Sequence, residues 1–235
     1  MPLTFFIVMF AVTLLFFILA RVAVERVERN HYRQRSDFFH HYPVNQGDIV
    51  FLGDSITDGG CWDELFPGLP IKNRGINGDT TTGVLNRIGD VLAYKPAAIF
   101  ILIGTNDLPW FQYRHDDDIL QTYIQILEAC LRTSPETKVF VQSILPRAAR
   151  FAKRIQNLNR QLKEISSIFH YTFINLYPHF EGAKGELSER FTNDHLHLLS
   201  AGYARWVEIL APFMSQFQQK RLSPIKKLLK RLSKP

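Results

Sequence analysis

The chain opens with an unbroken apolar stretch, Leu3 to Ala20 (LTFFIVMFAVTLLFFILA), whose polar members are Thr4 and Thr13. As a helix, at about 1.5 Å per residue, it is about 27 Å long, close to the hydrocarbon thickness of a bilayer. A helix apolar on every side has little to bury against at a chain end, so the pattern predicts a transmembrane anchor over residues 1–24 rather than a core helix. A cleavable signal peptide is the rival reading. It would carry a basic start and small residues at the cleavage point, and neither Met1–Thr4 nor Ile18–Ala20 supplies them. Residues 25–46 are polar and mixed in charge, which predicts a helical exit from the membrane to Arg35 and then a connector.

From 47 to 218 the pattern changes to short apolar runs alternating with helical periodicity. Strands are expected at Asp48–Gly53, Ile71–Arg74, Ala97–Ile103, Lys138–Val141 and Tyr171–Ile174. Helices are expected at Thr80–Tyr94, Asp116–Arg132, Phe151–Phe169 and Ser200–Phe217, the last with Ser200 as its cap. Strands alternating with helices mean crossover units and a parallel sheet covered on both faces. The expectation is an α/β fold, a three-layer α/β/α sandwich around a five-stranded parallel sheet, preceded by one transmembrane helix.

Charge refines the picture. The chain carries 28 Lys and Arg against 22 Asp and Glu. Seven of the basic residues fall in 220–235, which has no acid, leaving 21 against 22 elsewhere. The body is therefore near neutral, which argues against nucleic acid as a partner. The tail, residues 219–235, spaces Leu222, Ile225, Leu228, Leu229 and Leu232 along one stripe among lysines and arginines. That reads either as a basic amphipathic helix on an anionic membrane, begun after Pro224, or as a solvated tail. Arg21, Arg26, Arg29, Arg33 and Arg35 all follow the apolar span, which places the domain on the cytoplasmic face. Two cysteines, Cys61 and Cys130, cannot form a disulfide framework and read as buried small side chains.

The candidate chemistry lies just after the predicted strands, where open α/β sheets place their sites. The first strand runs into Gly53-Asp54-Ser55-Ile56-Thr57, the second into Asn73 to Thr80, and the third into Gly104-Thr105-Asn106-Asp107. Asp194-His195-Leu196-His197 precedes the last helix. Ser55 is a candidate nucleophile, His197 its base, and Asp194 the acceptor that fixes the histidine tautomer. The N–H groups of Ser55 and Gly78 and the Asn106 side chain are candidate donors to an oxyanion. Each residue alone has an ordinary structural explanation, and the case rests on their joint placement. Asp54, Asp58, Asp79 and Asp107 read as helix caps and loop ties rather than a magnesium cluster. His195 and His197 lack a third ligand, and His40-His41 lack any acidic or cysteine partner, so neither metal nor cofactor is expected. Thr57 excludes the G-x-S-x-G elbow of the ordinary α/β-hydrolases. Pro109-Trp110-Phe111 reads either as the lining of an acyl pocket or as simple loop packing.

These blocks, Gly53-Asp54-Ser55, Gly78, Gly104-Thr105-Asn106-Asp107 and Asp194-x-x-His197, resemble those of the SGNH, or GDSL-type, hydrolase family across about residues 47–215. IVFLGDSIT, NRGINGDTT and ILIGTNDL are especially similar to the branch resembling the platelet-activating-factor acetylhydrolase catalytic subunit. The resemblance implies a flavodoxin-like fold and a metal-free esterase, lipase or thioesterase. It also implies a Ser-His-Asp mechanism with Ser55, Gly78 and Asn106 as oxyanion hole. One departure is His195, where the family often has glycine. A bulky ring there could narrow the site or compete as a base. The expectation is a membrane-anchored serine esterase acting on a lysophospholipid or short-acyl lipid. The alternatives are an O-acetyl esterase on cell-surface carbohydrate and a non-catalytic lipid- or partner-binding module.

Overall fold

A computed structural model describes residues 3–109 and 114–232, with side chains described from Thr4 to Gln218. Trp110 and Phe111 of the expected pocket lining, and the apolar stripe of the tail, lie outside the described residues and side chains.

Five parallel strands form one sheet: β1 Ile49–Gly53, β2 Ile71–Gly75, β3 Ala98–Leu102, β4 Lys138–Gln142 and β5 Thr172–Ile174, in the order β2-β1-β3-β4-β5. The alternation of side chains along a strand supplies two cores. Val50 and Leu52 of β1 join one cluster, with residues of helices α4 (Thr81–Leu92), α5 (Asp116–Thr133) and α6 (Ala152–Ile168). Ile49 and Phe51 join the other, with α3 (Trp62–Leu65) and α7 (Ser200–Leu232). A ladder of stacked rings, Trp62, Phe51, Phe100 and Phe140, spans the second face at centroid separations of 4.2, 5.1 and 4.3 Å. Helices thus cover both faces, and the order is that of flavodoxin-like sheets, whose site lies past the strands' carboxyl ends.

The strand and helix bounds fall within a few residues of those the periodicity predicts. Three features differ. Helix α7 starts at Ser200 and continues through Pro212 and Pro224 to Leu232, so Pro224 begins no new helix. Proline's fixed φ is compatible with a helix at the cost of one hydrogen bond. Cys130 is buried, but Cys61 is exposed. It sits at the N-cap of α3, and the adjacent Trp62 takes the buried position.

The third difference is the segment after the apolar span. Helix α1 runs without interruption from Leu3 to His41, past the expected end at Arg35. Its first part is long and apolar enough to cross a membrane, and none of that window is buried against the protein. Its second part packs on the sheet domain. Phe39 is buried between the guanidinium groups of Arg35 and Arg74, 4.7 and 4.6 Å from its ring centre. Val44 is buried in the α4–α6 core. Arg74 donates to the Tyr42 carbonyl at 2.7 Å, and Arg35 pairs with Asp58 at 3.0 Å. Burying two apolar side chains is worth about 1.5–3 kcal/mol each, so these residues form part of the domain rather than a free connector.

Candidate active site

β1 delivers the chain into a tight strand-to-helix turn. A Cβ on Gly53 would lie 2.3 Å from the Leu102 carbonyl oxygen and 2.3 Å from Thr57 Oγ1, so only glycine lets the strand turn there. Asp54 caps the following one-turn helix α2 (Ser55–Asp58), its Oδ1 accepting the Ile56 N–H at 2.9 Å. Every other residue of the turn is tied. Tyr203 donates to the Ile56 carbonyl at 2.9 Å, Trp62 Nε1 to Thr57 O at 2.9 Å, and Asn73 Nδ2 to Asp58 O at 2.9 Å. The carboxyl of Asp58 faces Arg35, and His31 at 3.8 Å, both from α1. Sequence reasoning missed Tyr203, Arg35 and this contact, because nothing local to the motif announces them.

Ser55 Oγ lies 3.0 Å from His197 Nε2. His197 Nδ1 lies 2.7 Å from Asp194 Oδ2. An ionised carboxylate only accepts, so Nδ1 carries the proton and donates to Asp194, leaving the Nε2 lone pair for the serine hydroxyl. The Asp194–His197 loop holds itself. Asp194 Oδ1 accepts from the N–H groups of Leu196 (2.9 Å) and His197 (2.8 Å) and from the Thr192 hydroxyl (3.1 Å). Partial burial pushes the Asp194 carboxyl up, but the His197 ring and these donors outweigh it and hold it well below the usual carboxylate range. Asp194 is therefore a full anion at neutral pH.

Gly78 has φ +74°, a conformation that favours glycine, and a Cβ there would meet nothing within 4 Å. Its N–H belongs to an exposed turn whose next residue, Asp79, accepts the Asn106 side-chain amide at its carbonyl oxygen, 2.9 Å away. One Asn106 Nδ2 hydrogen is thereby fixed and the second left over, and the Gly78 and Asn106 segments are tied together. The Asp79 carboxyl pairs with Arg87 at 2.8 Å, and Arg87 also donates to the Gly53 carbonyl at 3.0 Å. Asp107 accepts from the Thr81 N–H at 3.0 Å and hydroxyl at 2.8 Å, and pairs with Arg114. So Asp54, Asp58, Asp79 and Asp107 each have a local partner as cap, tie or ion pair. Burial pushes Asp54 up to about 7, against the lowering effect of the Ile56 N–H, and it also raises Asp79 and Asp107.

His195 adopts φ +58°, which is why glycine suits this position. Its Nδ1 lies 3.3 Å from the Leu187 carbonyl oxygen, a contact with a neighbouring loop. Arg147, also missed from sequence, donates to the Thr105 carbonyl at 2.8 Å, beside Asn106. Its place five residues beyond Gln142, the last residue of β4, is the signal that could have found it, since β1, β2 and β3 carry Ser55, Gly78 and Asn106 past their carboxyl ends.

Residues 51–205 match the GDSL-like lipase/acylhydrolase family. Rat platelet-activating factor acetylhydrolase IB subunit alpha1 is 30% identical over 168 residues, covering 66% of this chain and 70% of the rat protein. Human subunit alpha2 is 28% identical over 169 residues, covering 67% and 72%. A Streptococcus pneumoniae protein named for platelet activating factor superposes with a TM-score of 0.76 at 27% identity, covering 84% of this chain and 99% of its own. An acetyl xylan esterase from Geobacillus stearothermophilus shares the fold alone, with a TM-score of 0.59 at 20% identity over 74% of this chain and 95% of its own. On the extent of the family match and these relatives, the chain belongs to the GDSL-like lipase/acylhydrolase family and is a serine ester hydrolase.

Proposed function

We propose that the protein is a membrane-anchored esterase in which Ser55, His197 and Asp194 form the catalytic triad and cleave a lysophospholipid or short-acyl lipid. The observation that carries the triad is the continuous chain of contacts from Ser55 Oγ through His197 to Asp194, at 3.0 and 2.7 Å. Ser55 Oγ attacks the ester carbonyl while His197 Nε2 takes its proton. The N–H groups of Ser55 and Gly78 and the free Asn106 Nδ2 hydrogen receive the oxyanion. Asp194 stabilises the imidazolium as it forms. His197 then protonates the departing alcohol, and water, activated by the same histidine, releases the acyl group and restores Ser55.

The lipid part of the reading rests on the exposed apolar helix and on relatives named as platelet-activating factor acetylhydrolases. The arginines after the span favour a cytoplasmic face. A p-nitrophenyl ester series from acetate to palmitate, hydrolysed by the full chain in neutral detergent, tests the proposal. Ser55→Ala removes turnover by at least about 10³-fold without changing the melting temperature. Activity that survives this substitution ends the triad assignment. Turnover confined to acetylated sugars ends the lipid reading and leaves a carbohydrate O-acetyl esterase.

A further inference from the structure

The order of contacts along α1 fixes which end of the sheet the apolar span approaches. His31 lies 3.8 Å and Arg35 3.0 Å from the carboxyl of Asp58, in the short helix that follows the carboxyl end of β1. The Tyr32 hydroxyl donates to the Gly83 carbonyl at 3.4 Å, in the first turn of α4. Further along, Ser36, Phe39 and Val44 share one cleft with Arg87, Asp90 and Val91, in the second half of α4. Seven residues separate Tyr32 from Phe39, and seven separate Gly83 from Asp90, so the two helices advance side by side in one direction. At Asp48, whose carbonyl accepts the Ala97 N–H at 2.9 Å beside the start of β3, the chain has reached the amino end of the sheet, and β1 turns back. The strands therefore point toward the end of α1 that carries the apolar span.

Between that span and His31, residues 21–30 are exposed except for Glu25, which pairs with Arg21 and Arg29 on the same helix. This stretch is a bare, uninterrupted strut. From Ala20 to His31 it covers about 16 Å, at about 1.5 Å per residue. The polar headgroup layer takes about 5–7 Å of that, which leaves at most about 10 Å between the bilayer surface and the contact with Asp58. The half-exposed side chains of His197 and Asp194, and the exposed Leu199 after them, belong to this same edge of the sheet.

We propose that the edge carrying Ser55 faces the bilayer that α1 crosses, within about 10 Å of its headgroups, and that the enzyme draws its ester from its own membrane rather than from an apposed one. This deepens the anchor and lipid readings above and rests on them. A strut of fixed length raises the local concentration only of esters in the same bilayer.

The orientation is measured without catalysis. The full chain with Cys61→Ser is reconstituted in phosphatidylcholine vesicles and carries a dye on one introduced cysteine, either Asn77→Cys beside Gly78 or Glu136→Cys before β4. Both positions are exposed, and Cys130 is buried. Energy transfer to acceptor-labelled headgroups is stronger from position 77, because the length of the strands puts position 136 about 16 Å farther away. Equal transfer, or stronger transfer from position 136, overturns the proposal. Protein that washes off the vesicles ends the anchor reading and the proposal with it.

Turnover supplies the second readout. The wild type cleaves 4-methylumbelliferyl palmitate in its own vesicles at least about tenfold faster than in separate protein-free vesicles. A seven-residue alanine-rich insert after Arg26 adds two helical turns, about 10 Å, and nearly preserves the facing of the domain. It slows the vesicle ester at least about tenfold and leaves p-nitrophenyl acetate, which arrives through water, unchanged. Equal rates in the two vesicle populations, or an insert that spares the vesicle ester, overturns the proposal. If the insert slows both esters alike, the wild-type comparison of the two populations decides. Cleavage of p-nitrophenyl acetate with none of the vesicle ester ends the lipid reading, while the energy transfer still reports the orientation.

Discussion

Asp54, Ile56 and Thr57, around Ser55, keep at most 3% of their surface, whereas the His197 and Asp194 side chains keep 49% and 45% of theirs. The Ser55 turn is positioned by tertiary packing. Its ties come from Tyr203 on α7, Asn73 on β2 and Arg35 on α1, far apart in sequence. The Asp194–His197 loop is positioned by itself, through one carboxylate that collects donors within three residues. Damage on the first side should therefore cost stability and activity together. On the second it should cost activity alone.

Asp194→Asn is the sharpest way to break that comparison. The amide keeps the loop's shape and can still accept the backbone N–H groups, but it presents a neutral group to the His197 ring. Turnover is expected to fall about 10³–10⁴-fold, as when a triad histidine loses its anionic partner. Stability should change by less than about 1 kcal/mol, because the group is exposed. A large loss of stability in chemical denaturation would mean that the loop is not self-supporting.

Arg87→Met probes the other side. It strips the buried Asp79 carboxylate of its cation and the Gly53 carbonyl of a donor. Breaking a buried pair by removing one partner costs about 3–5 kcal/mol. Because Asp79 also carries the Asn106 amide on its carbonyl, the same variant should lose turnover even at temperatures where it remains folded. Unchanged kcat in the folded fraction would separate the ion pair from the oxyanion donors.

The base side was the easier to read in the sequence for the same reason that it tolerates change. Asp194 and His197 act over three residues, so their relation is visible as spacing. Ser55, Gly78 and Asn106 were legible because each follows a strand whose apolar run is unmistakable, and parallel strands bring their carboxyl ends to one edge. The arm from His31 to Val44 was not legible. Its polar composition hides Phe39 and Val44, two apolar residues whose burial depends on Arg74 and the α4–α6 core. Helix α3 was missed because four residues carry no measurable period.

Asp54→Asn sharpens the comparison through pH. In the folded protein burial raises the Asp54 carboxyl to about 7, above its ordinary value near 4. The folded state then holds a proton that the unfolded state has released, so stability from this group is full below about pH 4 and is lost as pH rises through about 7. Asparagine still accepts the Ile56 N–H and does not titrate. The variant should show a flatter stability curve between pH 4 and 7 than the wild type. Asp194, held ionised by its donors, contributes no loss in that window.

The smallest expected effect belongs to His195. Its φ of +58° is costly for any side chain with a Cβ, about 1 kcal/mol, and its ring contact is a 3.3 Å approach to the Leu187 carbonyl. Glycine removes the strain but gives the unfolded chain more freedom, which returns part of the gain. His195→Gly should therefore raise stability by about 0.5–1 kcal/mol, read as a small increase in melting temperature. Turnover of p-nitrophenyl acetate should stay within a few-fold of wild type, because His197 and not His195 lies against Ser55. A large fall in kcat would place the His195 ring in the reaction. A fall in stability would show that the ring's contact with Leu187 outweighs the backbone strain, making the base loop less self-sufficient than its hydrogen bonds indicate.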